Sequence, residues 1–327
     1  MLSFPFNAYV AAAGCAFAAT VLAAPIWRAW CRKFGLMDDP GHRKIHAQPV
    51  ALAGGLAVFT GLLAPVLLAL LAVHFQWLDA GAVEKIRHGL GRRQAELAAV
   101  VLGTAAMLAL GWFDDKYELG PGKKFSGQLL IALGTALAGV RVTLFVDNYI
   151  FSLAITVLWI LTVTNALNFT DNMNGLCAGL AAIGAGWFAA HAMAHGHYLV
   201  ALLGLTAAAA LAGFLPYNYP KATIFLGDSG SHLAGYLLAV LGIMPHFHST
   251  TRPNPWAVLS PLLILAVPLA DLAWVVLLRA WRGKPVYVGD TNHFSHQLAR
   301  RGLSQRTAVA WIWLAALAAG GLSMLLW

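Results

Sequence analysis

The chain has 327 residues, of which 60% are hydrophobic and only 10% charged, with a formal net charge of +8. Together with a mean hydropathy of +0.70, this composition excludes an ordinary water-soluble domain and predicts an all-α integral membrane protein. The positive charge does not point to nucleic acid, because the cations flank apolar runs, as they do in membrane proteins.

Windows of about 20 apolar residues predict about ten transmembrane helices, at 5–27, 51–75, 95–113, 125–143, 149–166, 176–195, 198–215, 231–247, 256–279 and 306–326. No Lys or Arg precedes the first run, and that run is too long for a signal-peptide core, so it reads as a retained span. Loops after the odd-numbered spans carry Arg28, Arg32, Lys33, Arg43, Lys44, Lys116, Lys123, Lys124, Lys221, Arg279, Arg282, Lys284, Arg300, Arg301 and Arg306. The opposite side carries only Lys85, Arg87, Arg92, Arg93, Arg141 and Arg252. The positive-inside rule makes the first set cytoplasmic. The cluster from Lys85 to Arg93 dissents and reads as an interfacial helix over lipid headgroups. Cys15, Cys31 and Cys177 are far apart and form no CxxC or disulfide frame, so they read as packing residues. Without a fixed-period repeat or a disordered linker, residues 1–327 read as one domain.

The same parity brings every carboxylate-rich loop out on the cytoplasmic face: 36–46, 113–125, 165–176, 219–231 and 282–302. The central one, Asn165 to Leu176, holds Asn165, Asn168, Asp171, Asn172 and Asn174 between two apolar runs. That is more polarity than one helix cap requires, and at the edge of hydrocarbon it calls for a charged partner. Adjacent Asp114 and Asp115 end the third span, where two like charges favour a compensating cation from Lys116, Lys123, Lys124 or a metal; a solvated charge run is the plainer alternative. In Gly227-Asp228-Ser229-Gly230-Ser231, a helix start with free amides and hydroxyls suits a phosphate, and Asp228 suits a hard divalent cation. Alone, that segment would be only a turn and cap. With Asn168, Asp171 and Asp114 it makes an oxygen-lined Mg²⁺ or Mn²⁺ site the better reading.

His293 and His296 share one side of a helical turn. They suit phosphate or sugar binding better than zinc, since no HExxH or cysteine ligand accompanies them. Arg43, Lys44, His46 and Lys124 supply cations for phosphates, with lipid anchoring as the alternative. His191, His195, His197, His246 and His248 fall near the opposite face and read as interfacial. Asp271 lies inside the ninth span, about two turns from Arg279, where burial demands a partner.

Taken in order, these motifs resemble the polyprenyl-phosphate N-acetylhexosamine-1-phosphate transferase family. They are Asp38-x-Pro40 with Arg43, Lys44 and His46; Asp114-Asp115 with Lys124 and Gln128; Asn165-x-x-Asn168-x-x-Asp171; Phe225-x-Gly227-Asp228-x-Gly230-Ser231; and Asp290-x-x-His293 with His296. The resemblance implies ten or eleven spans in the bacterial inner membrane, a cytoplasmic active site, Mg²⁺ or Mn²⁺, a UDP-N-acetylhexosamine donor and undecaprenyl phosphate as acceptor. The same analogy makes a homodimer plausible.

Position by position, Asp228 resembles the metal-binding aspartate, with Asn168 as a second ligand. Asp114 resembles the carboxylate that activates the lipid phosphate, and Asp115 its neighbour. Phe225 and Asn174 correspond to positions around uracil, with Asn165 and Asp171 in the same substrate-binding motif. Lys44 and Lys124 resemble phosphate-contacting lysines, and His293 and His296 the histidines near diphosphate and sugar. Asn174 stands where many members have Asp, and Ser295 where another His is usual. Glu118 and Asp290 depart from the muramyl-pentapeptide branch, which favours the simpler hexosamine branch, with GlcNAc as the expected sugar. The alternatives are that pentapeptide transferase and, from another class, a proton-coupled secondary transporter. The latter would place its carboxylates near mid-membrane in paired repeats.

Overall fold

The computed structural model describes residues 4–39, 48–76, 81, 91, 94–143, 146, 148–245 and 255–326. Arg43, Lys44 and His46 lie outside the described residues, as does the basic cluster from Lys85 to Arg93. The fold is helical almost throughout. In chain order come α1 (Phe6–Phe34), α2 (Gly54–His74), α3 (Gln94–Tyr117), α4 (Pro121–Leu137), α5 (Tyr149–Thr170), α6 (Leu176–Ala194) and α7 (Tyr198–Asn218). They are followed by α8 (Gly227–Ile243), α9 (Ser260–Ile264), α10 (Ala266–Trp281), α11 (Phe294–Arg300) and α12 (Gln305–Ser323).

Each predicted window contains a helix, but the count of ten spans is not reproduced. Seven helices of the described residues are long and apolar enough to cross a membrane, or eight if a bent pair counts as one span. α4 and α8 have 17 residues each, at the short end of what a bilayer needs. The bent pair is the ninth window. Its two parts, Pro255–Ile264 and Ala266–Trp281, meet at 74°. Pro268 explains the break: its ring lacks an amide hydrogen and clashes with the carbonyl four residues earlier, that of Ile264, where α9 ends.

Hydropathy also truncated helices at their polar ends. α5 continues to Thr170, so Asn165 and Asn168 are helical, and α8 begins at Gly227, so Asp228 sits in a first helical turn. Backbone hydrogen bonding runs on past the last apolar residue wherever the side chains find partners.

α8 is the hub. Every residue of it except Asp228 is buried, and α2, α3, α5 and α6 surround it. A helix apolar on all sides belongs inside a bundle, and small residues admit the neighbours. A Cβ on Gly111 of α3 would sit 2.3 Å from the carbonyl oxygen of Asp228, and one on Gly55 of α2 would sit 2.6 Å from the amide nitrogen of Gly230. The opposite surface is apolar and exposed, with Leu67, Leu70, Leu130 and Ile150 each more than half exposed, as a lipid-facing belt requires.

One element has no counterpart in the sequence reading: a three-stranded sheet of β1 (Met37–Asp38), β2 (Val50–Leu52) and β3 (Ile224–Phe225) in that order. β1 pairs antiparallel to β2 through Met37 with Ala51, and β2 pairs parallel to β3 through Leu52 with Phe225. Both flanks of the 40–47 segment are thereby tied to the strand that leads into α8.

Candidate active site

Four helix ends meet at one ammonium group. Pro121 at the first position of α4 starts that helix and puts Lys124 in its first turn. Lys124 Nζ lies 2.8 Å from Asp114 Oδ2 at the end of α3 and 2.7 Å from Asp228 Oδ2 at the start of α8. It also donates to Asn168 Oδ1, in the last turn of α5, at 3.3 Å. Asn168 Nδ2 donates to Asp228 Oδ1 at 2.6 Å and to Ser231 Oγ at 2.9 Å. Three residues far apart in sequence thus enclose one positive charge.

The paired carboxylates Asp114 and Asp115 resolve their repulsion by facing different partners. Asp114 takes Lys124, while Asp115 accepts the backbone amides of Asp228 at 2.8 Å and Ser229 at 3.0 Å. The Gly227 amide donates to Asp171. This corrects the expectation of free amides for a phosphate at the α8 N-terminus: the carboxyl oxygens of Asp115 and Asp171 already accept those of Gly227, Asp228 and Ser229. Gly227 is required twice over, because its φ is +75° and a Cβ there would approach Asp115 Oδ2 to 2.7 Å. Burial, then the charges of Asp228, Asp115 and Asp38, push the Asp171 carboxyl up to about 8, against the lowering effect of the Gly227 amide.

Asn165 lies one turn below Asn168, and its amide faces inward. Its Nδ2 donates to Gln128 Oε1 and to the Leu161 carbonyl, both at 2.8 Å. Gln128 Nε2 in turn reaches His232 Nε2 at 3.2 Å, so that histidine nitrogen accepts. This buried layer under the carboxylates was not assembled from the sequence. The signal for it was polar residues at helical spacing, Asp228, Ser231 and His232, inside an otherwise apolar run. Asn174 and Phe225 sit along a single connection: Asn174 Nδ2 contacts the Pro220 carbonyl oxygen at 3.3 Å, a few residues before β3, which carries half-buried Phe225.

The histidine segment hangs from α10 and from the asparagine loop. His293 Nδ1 bonds Asp271 Oδ2 at 2.6 Å, and the other oxygen of Asp271 accepts the Phe294 amide at 2.7 Å. Asp271 therefore has the partner its burial demanded, and that partner is not Arg279. Arg279 instead pairs with Asp290 at 3.0 Å and lies over the Phe169 ring at 5.2 Å. Phe169 meets the His293 ring edge-on at 5.9 Å. Ser295 Oγ donates to Asn172 Oδ1 at 2.6 Å, so the residue that departs from the usual histidine locks α11 onto the asparagine loop. His296 lies 6.3 Å from His293 between ring centres. Burial first, then the neighbouring His293 and Arg300, hold its pKa below the ordinary value, opposed by Asp271 and Asp290. Asp290 is held well below the usual carboxylate range: burial opposes this, but the Arg279 and Asn292 hydrogen bonds outweigh it.

Comparison with known proteins matches residues 97–246 to the family described as glycosyl transferase family 4. A Bacillus subtilis protein named "Probable undecaprenyl-phosphate N-acetylglucosaminyl 1-phosphate transferase" is 33% identical over 89% of this chain and 77% of its own length. The chain belongs to glycosyl transferase family 4. It is also similar to a decaprenyl-phosphate N-acetylglucosaminephosphotransferase of Mycolicibacterium smegmatis, 30% identical over 89% of this chain and 76% of that one. A third relative, an undecaprenyl-phosphate alpha-N-acetylglucosaminyl 1-phosphate transferase of Yersinia pestis, is 25% identical over 87% and 75%. Membership in this family, with seven or eight apolar spans among the described residues, makes the protein a multi-pass membrane transferase. Of the motifs that carried the resemblance, those with Asp114, Lys124, Asn168 and Asp228 meet around Lys124, and the histidine segment is tied to the asparagine loop through Ser295 and Asn172; Arg43, Lys44 and His46 lie outside the described residues.

Proposed function

We propose that the chain transfers N-acetylglucosamine 1-phosphate from a UDP-sugar to undecaprenyl phosphate at the cytoplasmic face of a bacterial inner membrane. UMP is released, and the product initiates cell-envelope polysaccharide synthesis. The names of the relatives support the acceptor and sugar, and the basic loops after odd-numbered spans support the face. One observation carries the reading: Asp114, Asn168 and Asp228 converge on a single cation.

The oxygens around Lys124 are the donor set that a hard divalent cation takes. Asp228 and Asn168 would hold Mg²⁺ or Mn²⁺, which when bound neutralises the donor diphosphate. The rest falls to the chain's own groups. Lys124 offsets charge on the phosphates and keeps Asp114 and Asp228 together. Asp114 takes a proton from the acceptor phosphate. An acceptor oxygen then bonds to the sugar-bearing phosphorus, while that phosphorus breaks its bond to the bridging oxygen, which departs with UMP. Asp115 and Asp171 fix the first turn of α8. His293, held through Nδ1 by Asp271, presents Nε2 to the diphosphate. Catalysis of this kind consists mainly of positioning and electrostatics.

The test is UMP release by purified protein with undecaprenyl phosphate and Mg²⁺, across UDP-GlcNAc, UDP-GalNAc and UDP-MurNAc-pentapeptide. Turnover with UDP-GlcNAc, its loss on chelation and its loss in Asp228→Ala are expected. Turnover only with the pentapeptide donor would move the chain to the muramyl branch, and an active Asp228→Ala would defeat the metal assignment.

A further inference from the structure

The outer face of α10 is apolar and exposed. Trp274 is 43% exposed, Leu277 68% and Trp281 84%, at helical spacing, while Asp271, Val275 and Arg279 on the other side are buried. Such a stripe on a membrane helix faces acyl chains. At its end the stripe opens into a groove of about 440 Å³ between α10 and α11. Trp274 and Leu278 form one wall, Asn292 and Gln297 lie on the α11 side, and Arg282, Arg300 and Arg301 line the rest. Among the described residues no acidic one lines it. Among the described residues none of the three arginines has a carboxylate partner, whereas nearby Arg279 does. One arginine at each helix C-terminus would satisfy the helix dipole. Three converging on one concavity exceed that need, and guanidinium groups are suited to gripping phosphate.

We propose that this groove binds the headgroup of an anionic bilayer phospholipid, with an acyl chain along Trp274, Leu277 and Trp281. The groove shares no lining residue with the carboxylate site, and its occupancy does not depend on the sugar-transfer reading. It does touch the reacting region indirectly. Asn292 lines the groove and immediately precedes His293, and Gln297 Nε2 donates to the Asn292 carbonyl at 2.8 Å. A headgroup bridging Arg282 to Arg300 and Arg301 would clamp α11 to α10 and fix the segment that positions His293. Anionic lipid would thus act as a regulator of the enzyme.

The experiment uses the full chain in mixed micelles, with retained phosphatidylglycerol and phosphatidylcholine counted by native mass spectrometry. Phosphatidylglycerol should be retained in preference, and each arginine lost should weaken retention about fivefold, so Arg300→Gln with Arg301→Gln should weaken it roughly 25-fold. The lysine pair at the same positions should keep most of it. Wild-type retention should fall between 50 and 500 mM NaCl, an arm that needs no variant to fold. In nanodiscs, adding phosphatidylglycerol to phosphatidylcholine should raise wild-type turnover and leave the glutamine pair unchanged. The proposal is overturned by equal retention of the two lipids, by variants that retain phosphatidylglycerol as wild type does, or by full displacement with millimolar inorganic phosphate. It is also overturned if the variants raise KM for the donor or acceptor without changing lipid retention, since the groove would then belong to substrate.

Discussion

Replacing Lys124 with Met removes the ammonium that three oxygens share and keeps most of the side-chain volume. The carboxylate oxygens of Asp114 and Asp228, 2.8 and 2.7 Å from that nitrogen, lie within about 5.5 Å of each other. At an effective dielectric of about 20, two like charges no farther apart than that repel by at least roughly 3 kcal/mol. The low value of about 4 for a dry interior is inappropriate, because Asp228 is 33% exposed. Thermal unfolding in detergent with EDTA should therefore show Lys124→Met losing about 3 kcal/mol, and the double variant with Asp114→Asn recovering most of that loss. Asp114→Asn alone should also destabilise, because it strips the lysine of a partner, so the two substitutions couple in a double-mutant cycle. Additive losses, or a Lys124→Met protein as stable as wild type, would refute the idea that one charge holds these carboxylates together.

Asp271→Asn preserves shape but cannot accept from both His293 and the Phe294 amide as a carboxylate does. Turnover should fall about 10- to 100-fold, in line with loss of a charge-assisted hydrogen bond, with the protein still folded; unchanged turnover would remove Asp271 as the positioning group. Gly111→Ala places a methyl 2.3 Å from the Asp228 carbonyl, which should cost about 1–3 kcal/mol and most activity. Gly134→Ala, with nothing within 4 Å, is the control, and equal melting curves for the two would refute the close approach. Because Asp290 has a lowered pKa in the fold, its ion pair with Arg279 contributes stability above the unfolded carboxylate value near 4, lost only as pH falls through the lower folded value. Hydrogen exchange of residues 286–290, corrected for intrinsic rates, should show no step at the ordinary carboxylate value near pH 4, and a protection step there would contradict the pairing.

Much of the site was legible because its residues are chemically incongruous where they occur. Carboxylates and carboxamides at the ends of apolar runs stand out, and the parity of the spans placed them together before any geometry was known. Asp271 likewise declared by its position that it needed a partner, though not which one. That choice depended on the break at Leu265 and the return of α11, which are long-range features. The three-stranded sheet was illegible for a different reason: strands of two or three residues are too short to show an alternating pattern. Nor could composition reveal that Asp115 caps α8 while its neighbour meets Lys124, because the two directions follow from where α3 crosses α8 at Gly111. Hydropathy windows misplaced the ends of α5 and α8 for the reason that made those ends interesting: the polar side chains there are satisfied by one another.

The enclosure of α8 separates two kinds of change open to this protein. A substitution along that hub must be accommodated by the four helices around it, so it alters the whole bundle or nothing. The segment bearing His293 and His296 is fastened by a few discrete ties, to Asp271, Arg279 and Asn172. It can be exchanged for a segment of different length or polarity that keeps those ties while the carboxylate centre stays in place. A designer wishing to redirect this transferase to another sugar should graft that strap and leave the hub alone.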